Sequence, residues 1–250
     1  MAFKKRNIYK PGETLKLSRS GVEQFLNCRR CFYLERKLNL KALSGFPFNL
    51  NSAVDELLKK EFDNYRLNKE PHPYMSEIGK NLIPYQHEEL DKWRANFTGV
   101  QYHHQESDLL LTGAVDDVWF DLDTEELIVV DYKATSSKDE VNLEKDWQIS
   151  YKRQMEFYQW LLRQNGFKVS NDGYFIYCNG IKDKDAFNEV LEFDVKVLHY
   201  EGDDTWVEST ILDIAKTIKN QDIPNSSETC DLCSYYETRN ELLTHQEKKI

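Results

Sequence analysis

Long apolar runs are missing from this chain of 250 residues. No segment approaches the roughly 18 to 20 consecutive apolar residues needed to cross a bilayer. The N-terminus, MAFKKRNIYKPGE, lacks the apolar core of a secretory leader. A cytoplasmic protein with no membrane partner is therefore expected. Internal repeats and low-complexity tracts are missing as well. At this length, with 40% apolar and 13% aromatic residues, the chain can bury one substantial core, so residues 1-250 are read as a single domain. Cysteine is scarce, with five in all. In a reducing compartment so small a set points to metal ligation before disulfides.

Positive charge is in deficit overall, at a net -10, which argues superficially against a nucleic-acid partner. Its distribution qualifies that reading. Residues 1 to 41 carry eleven Lys or Arg against Glu13, Glu23 and Glu35, a surplus of eight that leaves -18 for the rest. A basic N-terminal segment on an acidic body is compatible with gripping phosphates at one side, and equally with an ordinary solvated face.

The informative stretch is Leu111 to Lys133, LTGAVDDVWFDLDTEELIVVDYK. Its flanks alternate and are rich in Val, Ile, Leu, Trp and Phe, which predicts two strands around an acidic turn at Asp121 to Glu126. Strand alternation puts Asp131 and Lys133 on one face and Tyr132 on the other. A hairpin partner could bring Asp116 onto the same face as Asp131, with Asp117 turned away. Two converging carboxylates repel unless a cation neutralises them, and oxygen-only ligands suit magnesium or manganese.

Other elements follow from local signals. Ser18 is a suitable cap for a helix through Leu26, with Val22, Phe25 and Leu26 inward. A loop with Gly45 and Pro47 leads to a helix over Ser52 to Leu67, on which Val54, Leu57, Leu58, Glu61, Phe62 and Tyr65 form the inward stripe. Asp55 borders that stripe, which is costly unless it is paired, for instance with Lys59, or binds a cation. Glu70 to Pro84 reads as a loop, followed by a helix near Gln86 to Phe97. A polar loop at Thr135 to Glu144 precedes a helix from Trp147 to Asn165 that stops at Gly166. On that helix Tyr151, Gln154 and Tyr158 share one face. Strands at Gly173 to Asn179 and Val190 to Leu198 and a helix at Trp206 to Ile218 follow. The polar tail after Arg239 is expected to fray, and Cys178 reads as a small core residue.

Cys28-Arg-Arg-Cys31 and Cys230-Asp-Leu-Cys233 are two C-x-x-C pairs at opposite ends of the chain. Together they make a four-thiolate set suited to zinc or an iron-sulfur cluster, and in either case to a structural role.

Gly-Ala-Val-Asp-Asp-Val at 113 to 118, Val-Val-Asp-Tyr-Lys at 129 to 133 and Gln-Met-Glu-Phe-Tyr at 154 to 158 resemble, in order, motifs II and III and the Gln-x-x-x-Tyr helix of the RecB-type branch of the PD-(D/E)XK nuclease superfamily. The segment SRSGVEQFLNCRRCFYLERKL is similar to the N-terminal signature of the same branch. It differs in having Arg29 where a proline is usual and in the additional Cys31.

The resemblance implies an α/β fold: a mixed central sheet flanked by helices, with a restriction-endonuclease-like core and a four-cysteine metal lobe from 18-35 and 224-240. It implies a magnesium- or manganese-dependent deoxyribonuclease, an exonuclease by kinship, acting on DNA that is single-stranded or has free ends. Its setting would be repair, recombination or phage DNA processing, with a helicase or recombination partner not named by the sequence. Asp116, Asp131, Asp55 (as motif I) and the carbonyl of Tyr132 would hold the ion. Lys133 would activate water, and Gln154 and Tyr158 would contact the scissile region or backbone. Cys28, Cys31, Cys230 and Cys233 would hold a 4Fe-4S cluster, with zinc as the alternative. Two other classes stay open: a non-catalytic nucleic-acid-binding or assembly subunit retaining the fold, and a structural zinc protein whose acids form salt bridges.

Overall fold

The computed structural model describes residues 8–10, 12–42 and 49–247, with side chains to 244. Pro11, the Gly45 to Pro47 loop and the cations Lys4, Lys5 and Arg6 lie outside the described residues. The chain divides into two compact units. Unit 1 comprises Met1–Ser44, His103–Leu110 and Glu208–Ile250, and unit 2 comprises Gly45–Tyr102 and Leu111–Val207.

In chain order the elements are β1 (Leu15–Ser18), α1 (Arg19–Asn27), α2 (Arg29–Arg36), α3 (Asn49–Asn68), α4 (Pro73–Ser76), β2 (Leu82–Pro84), α5 (Leu90–Arg94), β3 (Val100–His104), β4 (Leu109–Gly113), β5 (Asp117–Asp121), β6 (Glu126–Thr135), α6 (Ile149–Gln164), β7 (Val169–Gly180), β8 (Phe193–Glu201), α7 (Thr205–Lys219) and α8 (Asp231–Glu247). The fold is α/β, as expected.

The core of unit 2 is a five-stranded mixed sheet of order β2-β5-β6-β7-β8. β6 and β7 run parallel and every other pairing is antiparallel. Alternation along the two central strands serves two layers. Ile128, Val130, Tyr132, Tyr174, Ile176 and Cys178 turn to one face, where they pack with Leu58 and Phe62 of α3. The intervening residues turn to α6, where Gly173 lies against Met155. Because helices cover both faces, β6 is buried along most of its length.

Three expectations give way to tertiary context. The stretch from Glu70 to Pro84 holds α4 and β2 rather than a continuous loop, because Leu82 to Pro84 pairs with β5. The helix expected near 86 to 97 is reduced to α5. The polar tail continues as helix α8.

In unit 1, Ser18 caps α1 by accepting from the Gly21 amide at 3.3 Å. Phe25 meets Phe32 edge to face, with ring centres 5.2 Å apart. The Tyr33 hydroxyl donates to the carbonyls of Asn220 and Gln221 at 3.1 and 2.9 Å. The basic segment is partly spent internally. Arg29 pairs with Asp213 at 2.7 Å, Arg30 with Glu237, and Lys37 with the Asn220 carbonyl.

Candidate active site

Asp131 lies in the middle of the sheet, fully buried on the α6 side. A lone carboxylate there would be expensive, and two neighbours satisfy it. The Lys133 ammonium, two residues along the same face, pairs with Oδ2. From α6, Gln154 Nε2 donates to Oδ1 at 2.6 Å. The same amide's Oε1 accepts from Lys133 at 3.3 Å, and Nε2 also reaches the Tyr158 hydroxyl at 3.2 Å. Lys133 Nζ stands 4.5 Å from the centre of the Tyr151 ring, a cation-π contact. The structure thus joins Asp131, Lys133, Gln154 and Tyr158 in one network. Gly113 makes room for it, since a Cβ there would fall 2.6 Å from the Tyr158 ring.

Asp116 sits just before β5, not within a strand. The register Asp117↔Val130 makes it the next position along, facing Asp131. Its Oδ2 accepts from the Tyr132 amide at 2.8 Å, so the carboxylate takes a place that a ladder carbonyl would occupy. Lys59 Nζ lies 3.8 Å from Asp116 Oδ1 and 2.8 Å from Asp55 Oδ2. Burial and the nearby Asp116 charge raise the Asp55 pKa, against the opposing pull of Lys59 and Arg94. Asp55 Oδ1 is buried without a hydrogen-bond partner among the described residues. This pair of acids remains short of positive charge, and its hard oxygen donors fit a divalent ion. Asp55, Asp116 and Asp131 do not all close within 4.8 Å of one another. Magnesium accepts such a site, because it commonly uses one or two carboxylates and keeps waters for the rest.

Asp117 turns to the α3 face, as alternation demands, into a charged cluster with no clear signal in the sequence. Its carboxylate is fully buried. It accepts from Arg66, from Arg94 at 2.8 Å, from the Val118 amide at 2.8 Å and from the Tyr132 hydroxyl at 2.9 Å. Asp63 pairs with the same arginines, at 2.8 Å in the case of Arg94. Burial and the Asp117 charge push the Tyr132 phenol well up, so it serves as a neutral donor. Only Arg66 carried a hint, four residues after Phe62 and so on the inward line of α3.

In unit 1 the four cysteines come together. Cys28 and Cys230 stand at the entrances of α2 and α8, with Cys31 and Cys233 in the first turns. All four Sγ atoms lie within 4.8 Å of one another, the one such set of potential ligands among the described residues. Burial would raise the Cys28 thiol, but hydrogen bonds from the backbone of Cys31 and Ser227 and from neighbouring thiols bring it down to about 7. Burial and neighbouring thiols push Cys31 up and Cys233 up to about 11. Thiols this crowded ionise together only around a cation.

No curated protein matches the chain. The family model of the PD-(D/E)XK nuclease superfamily matches residues 16–238, a span that takes in both cysteine pairs and the whole of the Asp131 network. Members of that superfamily are mostly metal-dependent nucleases. With the mixed sheet, the acids at β5 and β6 and the lysine beside Asp131 all in place, this chain belongs to the PD-(D/E)XK nuclease superfamily.

Proposed function

We propose that this protein is a deoxyribonuclease of the RecB-type branch, dependent on magnesium or manganese and working from DNA ends or single strands. The observation that carries the reading is the closed network of Asp131, Lys133, Gln154 and Tyr158, set beside an Asp116 anchored to the Tyr132 amide. Asp116 and Asp131, with Asp55 and the Tyr132 carbonyl, would hold the ion, which when bound would supply Lewis acidity toward the phosphodiester.

The remaining work belongs to the side chains. Lys133 orients the attacking water and, as the ammonium, stabilises the charge that develops; only as the neutral amine would it take the water's proton. Gln154 holds Lys133 and Asp131 in register, so that neither has to reorganise as charge develops. Tyr158 and Tyr151 brace that arrangement from α6. Kinship within the branch supports an exonuclease leaving 5'-phosphates and a cytoplasmic role in repair, recombination or phage DNA processing, with a helicase or recombination partner.

The test is a magnesium-dependent assay on end-labelled single- and double-stranded DNA with wild type, Asp131→Ala and Lys133→Ala, each checked for folding by circular dichroism. Wild-type cleavage should fall at least about 100-fold in both folded variants. Equal activity in all three would overturn the assignment and favour a non-catalytic binding subunit.

A further inference from the structure

The spacing of the four sulfurs bears on whether they would hold a single ion or a cluster. Cys28 Sγ lies 3.8 Å from Cys233 Sγ, and Cys31 Sγ lies 3.6 Å from Cys230 Sγ and 3.5 Å from Cys233 Sγ. These separations are far too long for disulfides, whose sulfurs are about 2.05 Å apart. A single ion bound tetrahedrally through bonds of about 2.3 Å sets its sulfurs roughly 3.8 Å apart. In a 4Fe-4S cube each thiolate binds a different iron. The sulfurs then stand off by the iron tetrahedron plus two bonds, roughly 6 Å. The three separations match the single ion, and with all four sulfurs within 4.8 Å of one another the set is narrower than a cube's.

The aperture is also fixed by contacts that do not involve sulfur. Arg30 Nε donates to the Pro224 carbonyl at 3.1 Å and its guanidinium pairs with Glu237. Arg29 pairs with Asp213, and Tyr33 bonds the carbonyls of Asn220 and Gln221. Opening the sulfurs by about 2 Å for a cube would pull α2 and α8 apart against the Arg30–Glu237 pair, while the other contacts hold α2 to α7 and the segment that leads from it to α8. The ligands are also shared evenly, two from each helix entrance, the arrangement of closed structural zinc sites.

We propose that Cys28, Cys31, Cys230 and Cys233 hold one zinc ion, and that the iron-sulfur cluster implied by kinship does not form in this chain. The full chain is to be expressed with iron and zinc both supplied and purified without oxygen. Metal content, the visible spectrum and X-ray absorption at the zinc edge are then measured. Expected are about one zinc per chain, colourless protein and four sulfurs at about 2.3 Å. Four irons with acid-labile sulfide and broad visible absorption would overturn the proposal, as would a single iron or no stoichiometric metal.

Zinc captured during expression is separated from native zinc by stripping the chain and offering ferrous iron with sulfide or zinc in parallel. Zinc should restore the Tm of the untreated chain and iron should not. Four irons per chain that restore it would overturn the assignment. Cobalt in place of zinc should give the visible bands of a tetrahedral thiolate site, lost in Cys233→Ser but kept in Cys178→Ser. Loss in both variants, or retention in both, would remove the four-cysteine assignment.

Discussion

Asp116 and Asp117 are adjacent in the chain and have opposite surroundings. Asp116 is partly open and bonds to the Tyr132 backbone, whereas Asp117 is sealed between Arg66 and Arg94. Substitutions at the two should therefore separate chemistry from stability. Asp116→Asn is expected to abolish cleavage with little change in denaturant midpoint. Asp117→Ala leaves the buried Arg66 and Arg94 to share the half-exposed Asp63 alone and should cost about 3 kcal/mol. Urea unfolding beside the nuclease assay checks the pair, and the opposite pattern would exchange the roles of the two carboxylates.

Gln154 is predicted to matter through its two-handed grip on Asp131 and Lys133. Gln154→Ala should lower kcat by roughly 10- to 100-fold with KM for DNA nearly unchanged, because what is lost is orientation. A rise in KM alone would mean that Gln154 serves DNA binding.

Gly113→Ala tests the seat of Tyr158. The added methyl would fall 2.6 Å from the Tyr158 ring and 2.9 Å from Leu161. Overpacking of this kind typically costs about 1 to 3 kcal/mol. Thermal unfolding should register the loss, and cleavage should fall with it as Tyr158 is pushed from Gln154. An unchanged Tm would show that the ring has space to move.

Acid stability should carry a signature of Asp172. Burial opposes its ionisation, but hydrogen bonds from Lys80 and His199 outweigh that and hold its carboxyl below the usual range. A folded-state pKa lower than the unfolded one gives stability that is present above the unfolded value of about 3.9 and lost as pH falls through the folded one. Wild type should exceed Asp172→Asn in Tm at neutral pH, and the two should converge in acid. Parallel curves down to the lowest pH would contradict this.

Removing the thiolate-bound metal should loosen unit 1, since its bonds are part of the folding energy. A strong chelator with reductant is expected to lower Tm by several degrees, as a loss of a few kcal/mol does in a chain of this size. Re-addition of zinc should restore it. An unchanged Tm after verified metal loss would show that the helix contacts alone hold the unit.

Local repetition by itself determined a good deal. The alternation of Val129 to Lys133, the Ser18 cap, the shared face of Tyr151, Gln154 and Tyr158 and the two C-x-x-C pairs depend on residues within a few positions of each other, where backbone geometry dictates direction. What only the tertiary structure decided involves partners far apart in sequence. On α3 the inward line is shifted from the apolar expectation: Leu57 is 63% exposed while Arg66 is 3% exposed. Arg66 is drawn in by Asp117 from β5, fifty-one positions away, a pairing that helix periodicity cannot contain. Lys59 between Asp55 and Asp116, the pairing of Leu82 to Pro84 with β5 and the sulfur spacing have the same origin. Each is set by where the chain brings distant segments together, and charge pairing in a buried place outweighs the apolar preference of a single helix face.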